Sequence, residues 1–166
     1  MPQRDIVIPN IKVKEKAIFN LDELYKLLHR WFELYRYDLQ EQEYRDDDTG
    51  NGKHVEIKWY SDKKIDDYFK YVIEVNFLLL GLEDIEIVKE GVKVKTNKCE
   101  VELRFKSYLL KDYNRMWERF PVLRVLREFY DRRIIASRID GYEDEVYEET
   151  YKLINEVKAF LNLHRF

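Results

Sequence analysis

The sequence predicts an α+β protein: an antiparallel β-meander of about six strands, with an N-terminal helix and two C-terminal helices packed on one face. Three observations carry this. In Asp67–Leu80 every odd position after Asp67, from Phe69 through Tyr71, Ile73, Val75 and Phe77 to Leu79, is apolar. That is the period of a strand with one face in a core. Further on, Cys99, Val101, Leu103 and Phe105 alternate with Glu100, Glu102, Arg104 and Lys106, the cleanest in-and-out pattern in the chain. On either side of these strands the spacing becomes helical.

In chain order, residues 1–10 hold two of the three prolines and read as a loose lead-in, with a single domain over 11–166. Ile11 to Phe19 forms a first strand. Asn20 suits a helix N-cap, and Glu23 stands at the spacing of a capping box. The helix then carries Leu24, Leu27, Leu28, Trp31 and Tyr35 on one stripe. Tyr37 to Tyr44 is a more polar edge strand. Asp46–Gly52 is a turn by composition. His54 to Tyr60 sets Val55, Ile57 and Trp59 against Glu56 and Lys58. The long strand at 67–80 follows, and its second face turns apolar after Asn76, where a cover is expected. Gly81 is expected to break that strand, Lys89-Glu90-Gly91 to form a hairpin turn, and Thr96-Asn97-Lys98 another turn. Past Lys111, Pro121 opens a helix with a stripe of Val122, Val125, Leu126, Phe129 and Ile134. Gly141 is expected to end that segment. The last helix opens on acids and buries Val146, Thr150, Ile154, Val157 and Leu161.

Composition narrows the function. A 166-residue chain with 38% charged and 15% aromatic residues is globular, and a net charge of −3 gives no case for a dedicated nucleic-acid binder. A single cysteine, Cys99, excludes a disulfide framework or zinc ribbon. Neither a signal-peptide pattern nor an apolar run of membrane-helix length occurs, so a soluble cytoplasmic protein is expected. Abundant Lys and Glu with scarce Gln fit a thermophile.

The order strand, helix, antiparallel strands, helical C-terminus resembles the helix-grip fold of START-like lipid- and ligand-binding proteins. That resemblance implies a curved sheet around a C-terminal helix, with an apolar groove between them; two C-terminal helices instead of one depart from it. The chain's overall look is also similar to that of small archaeal proteins, which implies no activity.

The candidates for chemistry are few. Glu100-x-Glu102-x-Arg104-x-Lys106 resembles the charged strands of triphosphate-tunnel enzymes, with Glu56-x-Lys58 as a companion. The resemblance implies acids on a metal and bases on phosphates. A solvated sheet face with cross-strand ion pairs accounts for the same pattern. Asp46–Gly52 fails the calcium-loop spacing, because Lys58 stands where a bidentate Glu is required. His29, His54 and His164 show no metal spacing, Cys99 has core parity, and no nucleophile elbow or phosphate loop occurs. Residues 111–138 hold eight basic and four acidic residues, and Arg115, Arg119, Arg124 and Arg127 are candidates to bind anions. Residues 139–166 hold seven acids and three bases, so pairing between the two C-terminal helices is the plainer expectation. The aromatics Tyr113, Trp117, Phe120, Phe129 and Tyr130 read as core.

The expectation is therefore a non-catalytic binding or scaffolding module, with no cofactor. Its partners are a second copy of itself or a small apolar ligand. The alternatives are phosphate handling on the charged strand, or RNA or lipid binding by the arginines.

Overall fold

A computed structural model describes residues 2–115, 119, 121–133 and 135–164. Trp117, Phe120 and Ile134, expected in the core, lie outside the described residues. The elements are β1 (Gln3–Phe19), α1 (Leu21–Leu34), β2 (Asp38–Asp48), β3 (Lys53–Lys64), β4 (Phe69–Lys89), β5 (Val92–Lys111), α2 (Pro121–Arg133) and α3 (Ala136–Leu163). The strands form one antiparallel sheet in the order β1-β5-β4-β3-β2. The α+β class holds, with five long strands where about six were expected.

The difference in count has a local cause. Gly81 does not end β4. It adopts φ 62°, and the β4–β5 register shifts between Leu80 and Glu83 there. Glycine supplies a left-handed bulge and the ladder resumes beyond it. Gly52 packs against this bulge so closely that an added Cβ would meet the Gly81 carbonyl carbon at 2.8 Å. Thr96, Asn97 and Lys98, expected as a turn, sit inside β5 opposite Ile85, Asp84 and Glu83.

The expected loose lead-in is paired as well. From Gln3 the chain lies along β5, and Pro9 falls in the irregular register between Ile8 and Ile11. An edge strand accommodates proline at such a bulge, because no ladder donor is needed there.

One face of the sheet is dry. Val55, Ile57 and Trp59 of β3, Phe69 to Leu79 at odd positions of β4, and Val101, Leu103, Phe105 and Leu109 of β5 are buried together. α1 and α3 cover this face. Trp59 meets Tyr25 and Phe32 of α1 edge-on, with ring centroids 4.7 and 6.3 Å apart. α3 contributes Val146, Leu153, Ile154, Val157 and Leu161, and Thr150 turns its hydroxyl back to the Val146 carbonyl at 2.6 Å. Gly141 lies within α3 rather than at a break; the chain turns between α2 and α3 before Ala136.

The start of α1 joins local and distant chain. Asn20 accepts from the Asp22 N–H at 2.9 Å, as an N-cap should. The Leu21 N–H is taken by the Asn97 side chain of β5 at 3.0 Å, and Asn97 donates to Asp84 at 2.6 Å. A residue that looked like turn chemistry is thus a long-range cap.

The other face is open. Beyond Asn76, where the run of leucines suggested a cover, Leu78 and Leu80 are half-buried and Glu102, opposite Leu78, is buried. A second covered spot lies nearer the start of β4. Val72 is buried there beside its cross-strand partner Tyr108, whose ring carries Arg4 at 5.0 Å and Lys106 at 5.7 Å.

Candidate functional site

Two surfaces and two buried polar clusters contain the residues that chemistry could use. The first surface is the open sheet face. Glu100, Glu102, Arg104 and Lys106 all project onto it, as their parity required, and Leu103 is fully buried on the opposite side. β4 separates them from Glu56 and Lys58, and the side chains of Glu56, Lys58, Asn76, Leu78, Glu102 and Arg104 line a cleft of about 290 Å³. The charges in it are already matched. Lys14 holds Glu100 at 2.9 Å. Arg104 holds Glu102 at 2.8 Å, with Lys12 at 3.6 Å. Lys58 pairs with Glu43 at 2.7 Å. Glu56 takes Arg45 at 3.9 Å and His54 at 3.2 Å.

Electrostatics follow from this pairing. A hydrogen bond from Lys14 lowers the Glu100 carboxyl below its ordinary range. One from Arg104 does the same to Glu102. Glu102 is only 6% exposed, yet it stands on the open face, beneath the cations that hold it. Among the described residues no group of three His, Cys, Asp or Glu is placed to hold a metal. Burial pushes the Cys99 thiol up to about 12, which leaves it an inert packing group.

The second surface is α2. Its apolar stripe was expected in the core, and the structure corrects this: α2 has no buried residue. Val122 is 69% exposed, Val125 73%, Leu126 47% and Phe129 59%. The face turned toward the domain is instead mixed: Leu123 and Tyr130 are half-buried on it beside Arg127 and Asp131. Arg127 reaches the buried Asp112 at 3.3 Å. Asp131 accepts from Tyr68 at 2.9 Å and meets Lys111 at 3.3 Å. A helix whose polar side is bound by named ion pairs cannot roll over to bury its apolar side without breaking them.

The candidate arginines therefore divide. Arg127 is structural. Arg115, Arg119 and Arg124 are exposed, together with Arg132, Arg133 and Arg138. Among the described residues the contacts differ from the expected pairing of arginines with acids of α3: Arg132 pairs with Glu128 of its own helix at 3.8 Å, and Arg138 approaches the Tyr142 hydroxyl at 3.5 Å.

Sequence reasoning missed both buried polar clusters. In the first, Glu149 of α3 accepts from Lys63 at 2.7 and 2.9 Å and from the Tyr37 hydroxyl at 2.6 Å. Lys63 also lies 4.8 Å from the Tyr37 ring centre and 5.3 Å from that of Tyr71. Tyr71 donates to Glu145 at 2.8 Å. Burial, then the Glu149 charge, drives the Tyr37 hydroxyl well above the ordinary phenol range, so it stays a donor. In the second cluster, Lys111 bridges Asp5 of β1 at 3.0 Å and Asp131 of α2 at 3.3 Å. A signal existed for each cluster: Glu149 interrupts the apolar stripe of α3, and Lys63 and Lys111 carry the core parity of their strands.

Glu143 stands at the edge of the second cluster. Burial, then the neighbouring Asp5 and Asp140 charges, raises its carboxyl above the ordinary value. A raised carboxyl contributes stability below its unfolded value, near 4.5, and loses it as pH rises through the folded value. Glu143→Gln, which resembles the protonated form, is therefore expected to raise the melting temperature at pH 7, on the order of 2 °C. The gain should fade below pH 4.5, and thermal melts across pH read it directly.

These features define the class: an open-faced antiparallel sheet backed by two helices, with a third helix fixed to one end in inverted orientation. No family model matches the chain, and no curated protein matches it. No helix among the described residues is long and apolar enough to cross a membrane.

Proposed function

We propose that the protein is a non-catalytic binding module that works through the outward face of α2. The observation that carries this is the orientation of α2: Val122, Val125, Leu126 and Phe129 face out, while Arg127 and Asp131 tie the other side to Asp112, Lys111 and Tyr68. The largest exposed apolar patch on a monomer, commonly about 300–600 Å², is often the part of its surface that binds. The occupant favoured by the charges around the stripe is argued in the next subsection. The core face supports a ligand groove less well, since α1 and α3 fill it with buried side chains.

If the stripe serves binding and not packing, Val125→Gln with Phe129→Gln should change stability by no more than about 0.5–1 kcal/mol. The same variant should lose most of the fluorescence that an apolar dye gains on the native protein. Denaturant melts and dye titration read both quantities. A loss of about 3 kcal/mol or more would make the stripe part of the fold and end the proposal.

Phosphate handling on the open sheet face is the second reading, favoured by the cleft that joins Glu56 and Lys58 to Glu102 and Arg104. It ranks lower because a metal would have to displace Arg104, Lys12, Arg45 or His54 from the acids they already hold. Heat on adding magnesium and a nucleotide, abolished in Glu102→Gln, would reverse that order.

A further inference from the structure

We infer that the occupant of the α2 face is the surface of an anionic phospholipid bilayer, with the apolar stripe entering the headgroup boundary and the flanking arginines held at the phosphates. This deepens the binding-module reading and rests on it.

The first ground is the layout of α2. At 100° per residue, Val122, Val125, Leu126 and Phe129 occupy one sector of the helix. Leu123, Arg127, Tyr130 and Asp131 occupy the opposite one, and these are the half-buried positions. Arg132 borders the apolar sector on one side, with Glu128 and then Arg124 beyond it, and Arg133 falls within the sector one turn past Phe129, at the end of the helix. A helix that lies in a membrane plane shares this form: apolar residues below, cations at a margin or an end from which they reach the headgroups, the remaining side bound elsewhere. Here the domain itself holds that side.

The second ground is charge. Glu128 is the sole acid exposed on α2, and Arg119, Arg124, Arg132 and Arg133 are exposed on it or just before it. Two copies pairing α2 against α2 would set these arginines against one another. Such a face is complementary to a negative surface and not to itself. The third ground is size. The four apolar side chains offer on the order of 400 Å², below the ~800 Å² that each partner contributes to a stable protein complex. A membrane contact has no such threshold, because each buried apolar group and each arginine near anionic headgroups adds on its own. The exposed acids Asp140, Asp144 and Glu148 of α3 oppose a bilayer lying along both helices, which confines the contact to α2.

The test uses the full chain and vesicles of phosphatidylcholine, alone or mixed equally with phosphatidylglycerol, in a flotation assay. Binding is expected to the mixed vesicles and to fall steeply with salt. Val125→Gln with Phe129→Gln should weaken it at least tenfold. Arg124→Gln with Arg132→Gln and Arg133→Gln should weaken it by roughly a hundredfold. Leu126, the least exposed of the stripe, is left in place so that packing beneath α2 is preserved, and circular dichroism confirms the fold of each variant. Equal binding to neutral vesicles, or binding that ignores both variants, would overturn the inference. Absence of vesicle binding together with a concentration-dependent dimer that Phe129→Gln dissolves would overturn the lipid occupant and leave the docking face standing. Absence of vesicle binding, dimer and dye binding would remove both readings.

Discussion

Glu149→Ala is expected to be among the most destabilising single substitutions in the chain, at about 3–5 kcal/mol. The reason lies in what remains. Among the described residues Glu149 is the carboxylate paired with Lys63 and the acceptor for Tyr37, and all three are largely sequestered between α3 and the sheet. With the carboxylate gone, the Lys63 ammonium loses its counter-ion while two aromatic rings still surround it. The Tyr37 hydroxyl loses its partner as well, and a buried donor left unmet adds its own cost. Removing both charges behaves differently. Lys63→Met with Glu149→Leu should recover most of the loss, because apolar groups of similar size tolerate this environment. Urea melts of the two single variants and the double variant give the coupling, and a strictly additive double variant would contradict the ion-pair account.

Lys111→Ala is expected to cost nearly as much, about 3–4 kcal/mol. Lys111 is 5% exposed and ends β5. Its ammonium lies between Asp5 and Asp131, and Glu143 is close enough to feel the same charges. Loss of the cation leaves acids from β1, α2 and α3 facing one another. The effect should therefore shrink as pH falls and the acids protonate, whereas a defect of simple packing would not depend on pH. Because Asp131 is one of the ties on α2, protease cleavage near Arg124 should accelerate in this variant, and unchanged cleavage would argue against Lys111 as an anchor for that helix.

What the sequence made legible was parity; what it hid was distance. The inward set from Phe69 to Leu79 and the outward set from Glu100 to Lys106 are where alternation placed them, because one face of each strand is sealed by helices. Gly81 and Thr96-Asn97-Lys98 misled for a shared reason. Residues typical of turns were used inside strands, one for a bulge and one to cap a helix 76 residues earlier. The paired lead-in was hidden by Pro9, which a bulge accommodates at the sheet edge. For α2 the stripe was visible, but periodicity does not say which side faces the protein. That is decided by Asp112, Lys111 and Tyr68, residues from other parts of the chain. The charged strand was legible as a candidate and as an ion-paired surface alike, and the pairs found are of the second kind.

The strand order also carries a consequence for how the chain assembles. β4 and β5 are neighbours in sequence, joined at Glu90 and Gly91, and they occupy the middle of the sheet. Their hairpin closes over a short loop, whereas β1 must find β5 across most of the polypeptide. We expect the central pair to zip first and the N-terminal strand to arrive last. Pulse-labelled amide exchange during refolding should protect Tyr71–Leu79 before Ile11–Ala17, and the reverse order would reject this route.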